Sequence, residues 1–120
     1  TVNVAARIER MTRAYDANLL ISHHTFMQLE NPNQYALRVI DRVQVKGKQA
    51  FVSVYEVFEA GPPAQREAKL ESKTLFETGL LFFYQQRYAE AAQHFQTCLD
   101  ICLQDSVAAI YAQRCQNLLQ

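Results

Sequence analysis

The chain has 120 residues, of which 49% are hydrophobic and 20% are charged, and its formal net charge is zero. This composition is ordinary for a globular protein, and it gives no sign of nucleic-acid or membrane-surface binding. No apolar run approaches the roughly 18 residues that suggest a membrane span, so no membrane segment is predicted.

The opening residues predict a helix, a short strand and a second helix. Residues 2–16 carry apolar side chains at helical spacing, with charged side chains between them. The short apolar run at residues 19–21 predicts a buried strand. Ser22 is a good N-cap for a short helix over residues 23–30, which the sequence NPN at 31–33 ends.

An antiparallel hairpin is predicted next. Residues 36–46 alternate between apolar and polar side chains, which is typical of a half-buried strand, and Gly47 suits the turn. Residues 51–58 are rich in Val, Phe and Tyr and predict the return strand, so Lys46 is placed at the hairpin tip. The alternation divides the first strand into an apolar face, interrupted by Asp41, and a polar face: Leu37, Val39, Val43 and Val45 against Arg38, Arg42, Gln44 and Lys46.

The second half of the chain predicts helices only. Residues 59–68 are interpreted as a linker, because the sequence AGPPA within them interrupts both strand and helix. Residues 69–120 predict a helical hairpin plus one helix. The predicted fold class is therefore α+β, with helix, strand, short helix and antiparallel hairpin over residues 1–58 and an all-α part after the linker. The three cysteines are predicted to be buried and reduced: Cys98, Cys102 and Cys115.

Four segments follow one another along the chain: TVNVAARIE at residues 1–9, NLLIS at 18–22, DRVQVKGK at 41–48 and FVSVYEVF at 51–58. In this order they resemble parts of class III nucleotidyl cyclases. The first resembles the end of the catalytic signature, the third resembles a strand-to-turn segment, and the other two resemble strands of the family. Residues 69–120 resemble a tetratricopeptide-type helical hairpin followed by one helix. In that resemblance, Gly79 is the small residue at which two helices approach, and Ala91 and Phe95 lie on the second helix.

Asn3, Arg7 and Lys46 are the candidate functional residues. Asn3 and Arg7 are four positions apart, so on a helix they share a face. An amide can hydrogen-bond a ribose oxygen, and a guanidinium can hold phosphate oxygens in a fixed fork. The resemblance implies these catalytic roles, and it implies that Lys46, in preference to Lys48, binds the triphosphate. The alternative for all three is a solvated surface side chain.

The resemblance also implies what the chain would need from elsewhere. Class III cyclases make a cyclic 3′,5′-nucleotide and pyrophosphate from ATP or GTP, with Mg²⁺ or Mn²⁺ at sites between two subunits. Their metal-binding aspartates and base-reading residues precede the signature. The chain is therefore interpreted as the C-terminal piece of a longer cyclase, adenylyl in preference to guanylyl. It is expected to be inactive alone, and either to associate with a copy of itself or to pack its two halves on each other. The parent is expected to be a homodimer, and the chain to be cytoplasmic or the cytoplasmic part of a membrane-anchored parent.

A non-catalytic interpretation stays open. In it, residues 69–120 are a regulatory helical-repeat module that binds another protein or domain, and residues 1–58 merely cap that module. The residues upstream of Thr1 distinguish the two interpretations. Two aspartates at metal-binding spacing there favour the enzyme, and their absence favours the module.

Overall fold

In the computed structural model, residues 2–45, 47 and 49–120 are described, with the backbone alone at residues 2 and 3. The chain divides into two compact units, Thr1–Ala60 and Gly61–Gln120. The first contains helices and a three-stranded antiparallel sheet, and the described elements of the second are helices. The predicted α+β class is confirmed.

The first unit contains the three predicted strands, and their observed ends differ from the predicted ends by at most two residues. In chain order its elements are α1 (Val2–Ala14), β1 (Leu20–Ser22), α2 (His23–Met27), a 3₁₀ turn (Pro32–Gln34), β2 (Leu37–Gln44) and β3 (Phe51–Val57). The strand order is β1-β3-β2, and both pairings are antiparallel. The side chain of Ser22 accepts a hydrogen bond from the Thr25 backbone N–H at 3.2 Å, which confirms the predicted N-cap of α2.

A β-bulge divides β2 into two halves, and for that reason the predicted regular alternation is wrong. Val39 lies opposite Tyr55, whereas Asp41 lies opposite Val54, so Ile40 is the extra residue. Opposed residues lie on the same face of a sheet, and neighbouring residues lie on opposite faces. The bulge therefore breaks the period of two, and the side chains beyond it exchange faces relative to those before it.

Arg38 shows the consequence most clearly, because it is fully buried where the alternation predicts an exposed side chain. It lies directly opposite Glu56 of β3. Its Nε atom donates to Glu56 Oε1 at 2.8 Å, and its Nη2 atom is also 2.8 Å from that oxygen. Burial of this guanidinium is tolerated because a carboxylate beside it neutralises its charge. Arg42 and Gln44, on the other face, are exposed as predicted.

The second unit packs three helices. They are α3 (Pro63–Tyr84), α4 (Tyr88–Ile101) and α5 (Ser106–Leu119). Because α3 begins at Pro63, residues 63–68 are helical and not the linker that the sequence predicts. Proline is favourable at the first position of a helix, where its missing N–H would have no partner within the helix anyway. Pro62 is therefore the N-cap residue of α3, and Pro63 is its first helical residue.

Close packing at Gly79 joins α3 to α4. A Cβ atom added at Gly79 would lie 2.9 Å from His94 Cβ and 3.2 Å from the Phe95 ring, so the predicted close approach is confirmed. The Phe95 ring lies 5.3 Å from Phe76 and 5.1 Å from Tyr111, between ring centroids. All three cysteines are buried, as predicted, and burial raises the pKa of the Cys115 thiol.

Candidate functional site

The helix α1 carries two of the three candidate residues. It spans Val2–Ala14, so the backbone at residues 3 and 7 is helical and the two positions are about one turn apart on one face. The side chain of Asn3 lies outside the described residues. Arg7 is exposed, as a residue that binds an external ligand must be.

The Arg7 guanidinium connects α1 to the end of β2. Its Nη1 atom donates to the backbone carbonyl oxygen of Gln44 at 2.8 Å. Gln44 is the last residue of β2 and precedes Lys46 by two positions. Lys46 itself lies outside the described residues, as does Lys48. The structure therefore brings Arg7 to the strand end that leads into the turn predicted to bind phosphate.

The turn after β2 has the backbone conformation that its glycine permits. Gly47 has φ of +79°, in the left-handed region that side chains with a Cβ rarely adopt. The Val45 N–H, before the turn, donates to the carbonyl oxygen of Ala50, after it, at 3.0 Å, which closes the hairpin. The hairpin predicted from the sequence is thus present between β2 and β3.

A second contact fixes α1 against β2. The phenol of Tyr15, directly after α1, donates a hydrogen bond to Asp41 Oδ2 at 2.5 Å. Tyr15 is only 1% exposed. The other oxygen of this carboxylate, Oδ1, accepts from the Arg42 backbone N–H at 2.7 Å. The sequence did not lead to the prediction of a contact between Tyr15 and Asp41. The available signal was the position of Asp41, a charged residue that interrupts the apolar positions of β2.

An open apolar groove of about 620 Å³ lies beside α1. Its lining comes from α1, β1, α2 and the hairpin: Val4, Ala5, Ile8, Leu20, Ile21, Ser22, His24, Thr25, Val45 and Val52. The groove presents mainly aliphatic surface, whereas Arg7 contributes charge from the neighbouring face of the same helix.

In residues 2–45, 47 and 49–120, no group of three or more His, Cys, Asp or Glu side chains could hold a metal ion. Within the same residues, no helix combines the length and the apolar character that crossing a bilayer requires.

Known proteins similar to this chain carry a consistent name. Over 119 residues, 98% of its length, the chain is 32% identical to a protein of Dictyostelium discoideum named "Adenylate cyclase, terminal-differentiation specific". Over 57 residues, it is 47% identical to a protein of Anabaena cylindrica named "Adenylate cyclase". The chain is related to adenylate cyclases. It spans 6% of the first relative and 11% of the second, and the first similarity runs through both compact units.

Neither family models nor solved structures add to this relationship. No family model matches the chain, and no solved structure matches it. The relationship to adenylate cyclases therefore rests on sequence identity to the two named relatives. The contact of Arg7 with Gln44 is observed in this structure only.

Proposed function

We propose that this chain is the C-terminal part of a class III adenylate cyclase catalytic domain, followed by a tetratricopeptide-like helical tail. The parent protein would convert ATP to cyclic 3′,5′-AMP and pyrophosphate, in intracellular signalling in the cytoplasm. The observation that carries the proposal is the position of Arg7. In a chain related to adenylate cyclases, its guanidinium lies at the end of the strand that leads to Lys46.

The reaction needs groups that orient ATP and neutralise developing charge. The ribose 3′-oxygen gives up its proton to solvent and attacks the α-phosphorus. As the new P–O bond forms, the bond from the α-phosphorus to the oxygen bridging to the β-phosphate breaks and releases pyrophosphate. Asn3 would hydrogen-bond the ribose and hold the 3′-oxygen in line. Arg7 would stabilise the negative charge that grows on the reacting phosphate. A guanidinium has five N–H donors, and the bond to Gln44 uses one of them.

Lys46 would bind the terminal phosphates. An ammonium group is a compact point charge on a flexible stem, which suits the departing pyrophosphate. Gly47 allows the backbone after Lys46 to turn sharply, and the hairpin provides a rigid base for that turn.

The described residues do not provide a metal site, so no step is assigned to a metal ion in this chain. In the proposal, residues of the parent outside this chain would hold Mg²⁺ or Mn²⁺, which would supply activation of the nucleophile. The proposed parent is a homodimer, in which one subunit supplies the metal ligands and the other supplies Asn3 and Arg7. GTP in place of ATP is the competing substrate of the same reaction.

Substitution of Arg7 in the full-length parent tests the proposal. Arg7→Ala is expected to lower kcat by on the order of 10² to 10³, the cost of removing one preorganised donor from a transition state. Arg10→Ala is the matched control, because Arg10 is an exposed arginine of the same helix. Wild-type turnover by the Arg7→Ala enzyme would contradict the assignment. The 120-residue chain assayed alone is expected to be inactive.

Lys46 is tested by substrate affinity. Lys46→Met is expected to raise the apparent KM for ATP by about tenfold, because one charge-assisted phosphate contact is lost. Lys48→Met provides the control, two residues further along the same turn. An unchanged KM in the Lys46 variant, or an equal rise in both variants, would remove Lys46 from the site.

A non-catalytic role for the helical unit is the second candidate. The 32% identity to the Dictyostelium discoideum protein extends over 119 residues, so it includes the three helices after Gly61 as well as the cyclase-like part. In this alternative, α3 to α5 bind another protein or another domain and regulate the cyclase. Deleting residues 61–120 from the parent separates the possibilities: retained basal activity with lost regulation supports a regulatory tail.

A further inference from the structure

We propose that Tyr15 and Asp41 are positioning residues of the cyclase site. Their hydrogen bond fixes where α1 lies along β2, and so holds Arg7 at the end of that strand. This inference rests on the proposed function, because it concerns the placement of a catalytic arginine. Neither residue would touch ATP; both act through α1.

The two contacts between α1 and β2 occur at matching separations. Arg7 and Tyr15 are eight residues apart, a span of about 12 Å at the rise of an α-helix. Asp41 and Gln44 are three residues apart, a span of about 10 Å at the rise of a strand. Arg7 meets Gln44 and Tyr15 meets Asp41, so α1 runs antiparallel to β2. A slide of the helix along the strand would break both contacts.

The Tyr15–Asp41 contact is the more constrained of the two. Tyr15 is 1% exposed, whereas Arg7 is an exposed side chain. The acceptor is a carboxylate, and hydrogen bonds to charged acceptors are shorter and stronger than neutral ones. The Tyr15 backbone N–H still donates to the Met11 carbonyl at 2.8 Å, so the ring extends from the last turn of the helix itself. The Tyr15–Asp41 hydrogen bond therefore ties the C-terminal end of α1 to β2.

The carboxylate of Asp41 is itself held in place. Its Oδ1 atom accepts from the Arg42 backbone N–H at 2.7 Å, which leaves Oδ2 directed to the Tyr15 phenol. The bulge at Ile40 places Asp41 on the same face of the sheet as Arg38, three positions earlier, where a regular strand would place them on opposite faces. The buried Arg38–Glu56 pair thus lies on the face that receives Tyr15.

The test measures kcat of the full-length parent in two backgrounds. Tyr15→Phe removes only the hydroxyl and is expected to lower kcat about tenfold, with the KM for ATP changed less than twofold. In the Arg7→Ala background, the same substitution is expected to have no further effect on kcat, because its influence passes through Arg7. Tyr35→Phe removes an exposed hydroxyl from the same unit and is expected to leave kcat unchanged.

Asp41 provides the second arm of the test. Asp41→Asn keeps an acceptor oxygen for the phenol and is expected to lower kcat less than Asp41→Ala does. Equal kcat losses from Tyr15→Phe in the two Arg7 backgrounds, or an unchanged kcat in Tyr15→Phe, would overturn the positioning role. An unchanged kcat in Arg7→Ala would instead overturn the proposed function.

A structural measurement keeps the inference testable whatever the activity of the parent. A crystal structure of the Tyr15→Phe protein is expected to show α1 displaced along β2, with Arg7 Nη1 more than about 3.5 Å from the Gln44 oxygen, beyond hydrogen-bonding distance. The wild-type crystal structure is expected to retain that contact. An identical helix position in both crystals would refute the proposal.

Discussion

The sheet-containing unit, Thr1–Ala60, buries a paired arginine and glutamate within its core, whereas the core of the helical unit, Gly61–Gln120, includes packed aromatic rings and three cysteines. In the first unit, directional polar contacts join elements that are distant in sequence. Arg7 reaches 37 residues along the chain, Tyr15 reaches 26 and Arg38 reaches 18. Such contacts specify position closely, because hydrogen bonds depend steeply on distance and angle.

The helices of the second unit are held together instead by close packing of apolar side chains. Phe76, Phe95 and Tyr111 pack ring against ring, and Gly79 allows α4 to approach α3. Close-packed apolar contacts are individually weak and collectively strong, and they favour a stiff scaffold without directing any single side chain.

Phe95→Ala should have the largest effect on the helical unit. Removing a ring that is fully buried between Phe76 and Tyr111 is expected to cost about 3 to 5 kcal/mol of unfolding free energy. Urea unfolding measures the loss. Thiol labelling localises it, because all three cysteines are buried in this unit. Leu103→Ala, at a side chain that is 80% exposed, is the control and should cost less than about 0.5 kcal/mol.

Arg38→Ala tests the contrasting unit. It leaves the Glu56 carboxylate buried without this partner and is expected to cost about 3 to 5 kcal/mol. The double variant Arg38→Met with Glu56→Leu should be closer to wild type than Arg38→Ala, because buried ion pairs are often replaceable by apolar groups of similar size. Urea unfolding of all three proteins checks this, and a double variant less stable than Arg38→Ala would show that the charges are needed beyond neutralising each other.

A smaller effect is expected at the start of α5. Asp105 is buried and its Oδ1 atom accepts from the Ala108 backbone N–H at 3.1 Å, so it is the N-cap of that helix. Asp105→Ala should destabilise the protein by about 1 kcal/mol, and Asp105→Asn by less, since asparagine is an equally good N-cap. Thermal unfolding measures both. Equal losses of stability in Asp105→Ala and Asp105→Asn would mean that the negative charge of Asp105, and not its capping hydrogen bond, stabilises the helical unit.

The smallest effect is expected at an ion pair on the surface of the first unit. Glu9 and Arg13 are 3.6 Å apart on α1, with side chains 74% and 73% exposed. Glu9→Gln should change the unfolding free energy by less than about 0.5 kcal/mol, because exposed pairs are screened by solvent. Together, Glu9→Gln and Arg38→Ala compare an exposed arginine–glutamate pair with a buried one. A loss of unfolding free energy above about 1 kcal/mol in Glu9→Gln would contradict the expectation that burial sets how much an ion pair contributes to stability.

Local signals made much of the first unit predictable. The N-cap at Ser22 depends on residues three apart, and the hairpin depends on Gly47 and two β-rich runs that flank it. The candidate residues Asn3 and Arg7 were chosen from a family resemblance together with their four-residue spacing on one helix, and their role stays a prediction. These features involve short stretches of sequence, so no knowledge of the distant chain was needed.

The positions that escaped prediction depend on pairings between distant residues. Counting back from the hairpin turn without a bulge places Arg38 opposite Val57, and only the extra residue Ile40 brings it to Glu56. A bulge leaves little trace in a single sequence. The contact from Tyr15 to Asp41 spans 26 residues and was hidden for the same reason. In the second unit, the prolines at 62 and 63 suggested a linker, although proline suits a helix start equally well.

The bulge has a consequence for how this strand can change its length. Because the register of β2 on β3 shifts by one residue between Val39 and Asp41, a chain lacking Ile40 would keep the residue opposite each of the other residues of β2. Loss of a residue further from the bulge would differ, because every residue between that position and Ile40 would move to the opposite face of the sheet. A one-residue deletion should therefore be tolerated at this point of the sheet far better than elsewhere in β2, at the cost of one buried isoleucine.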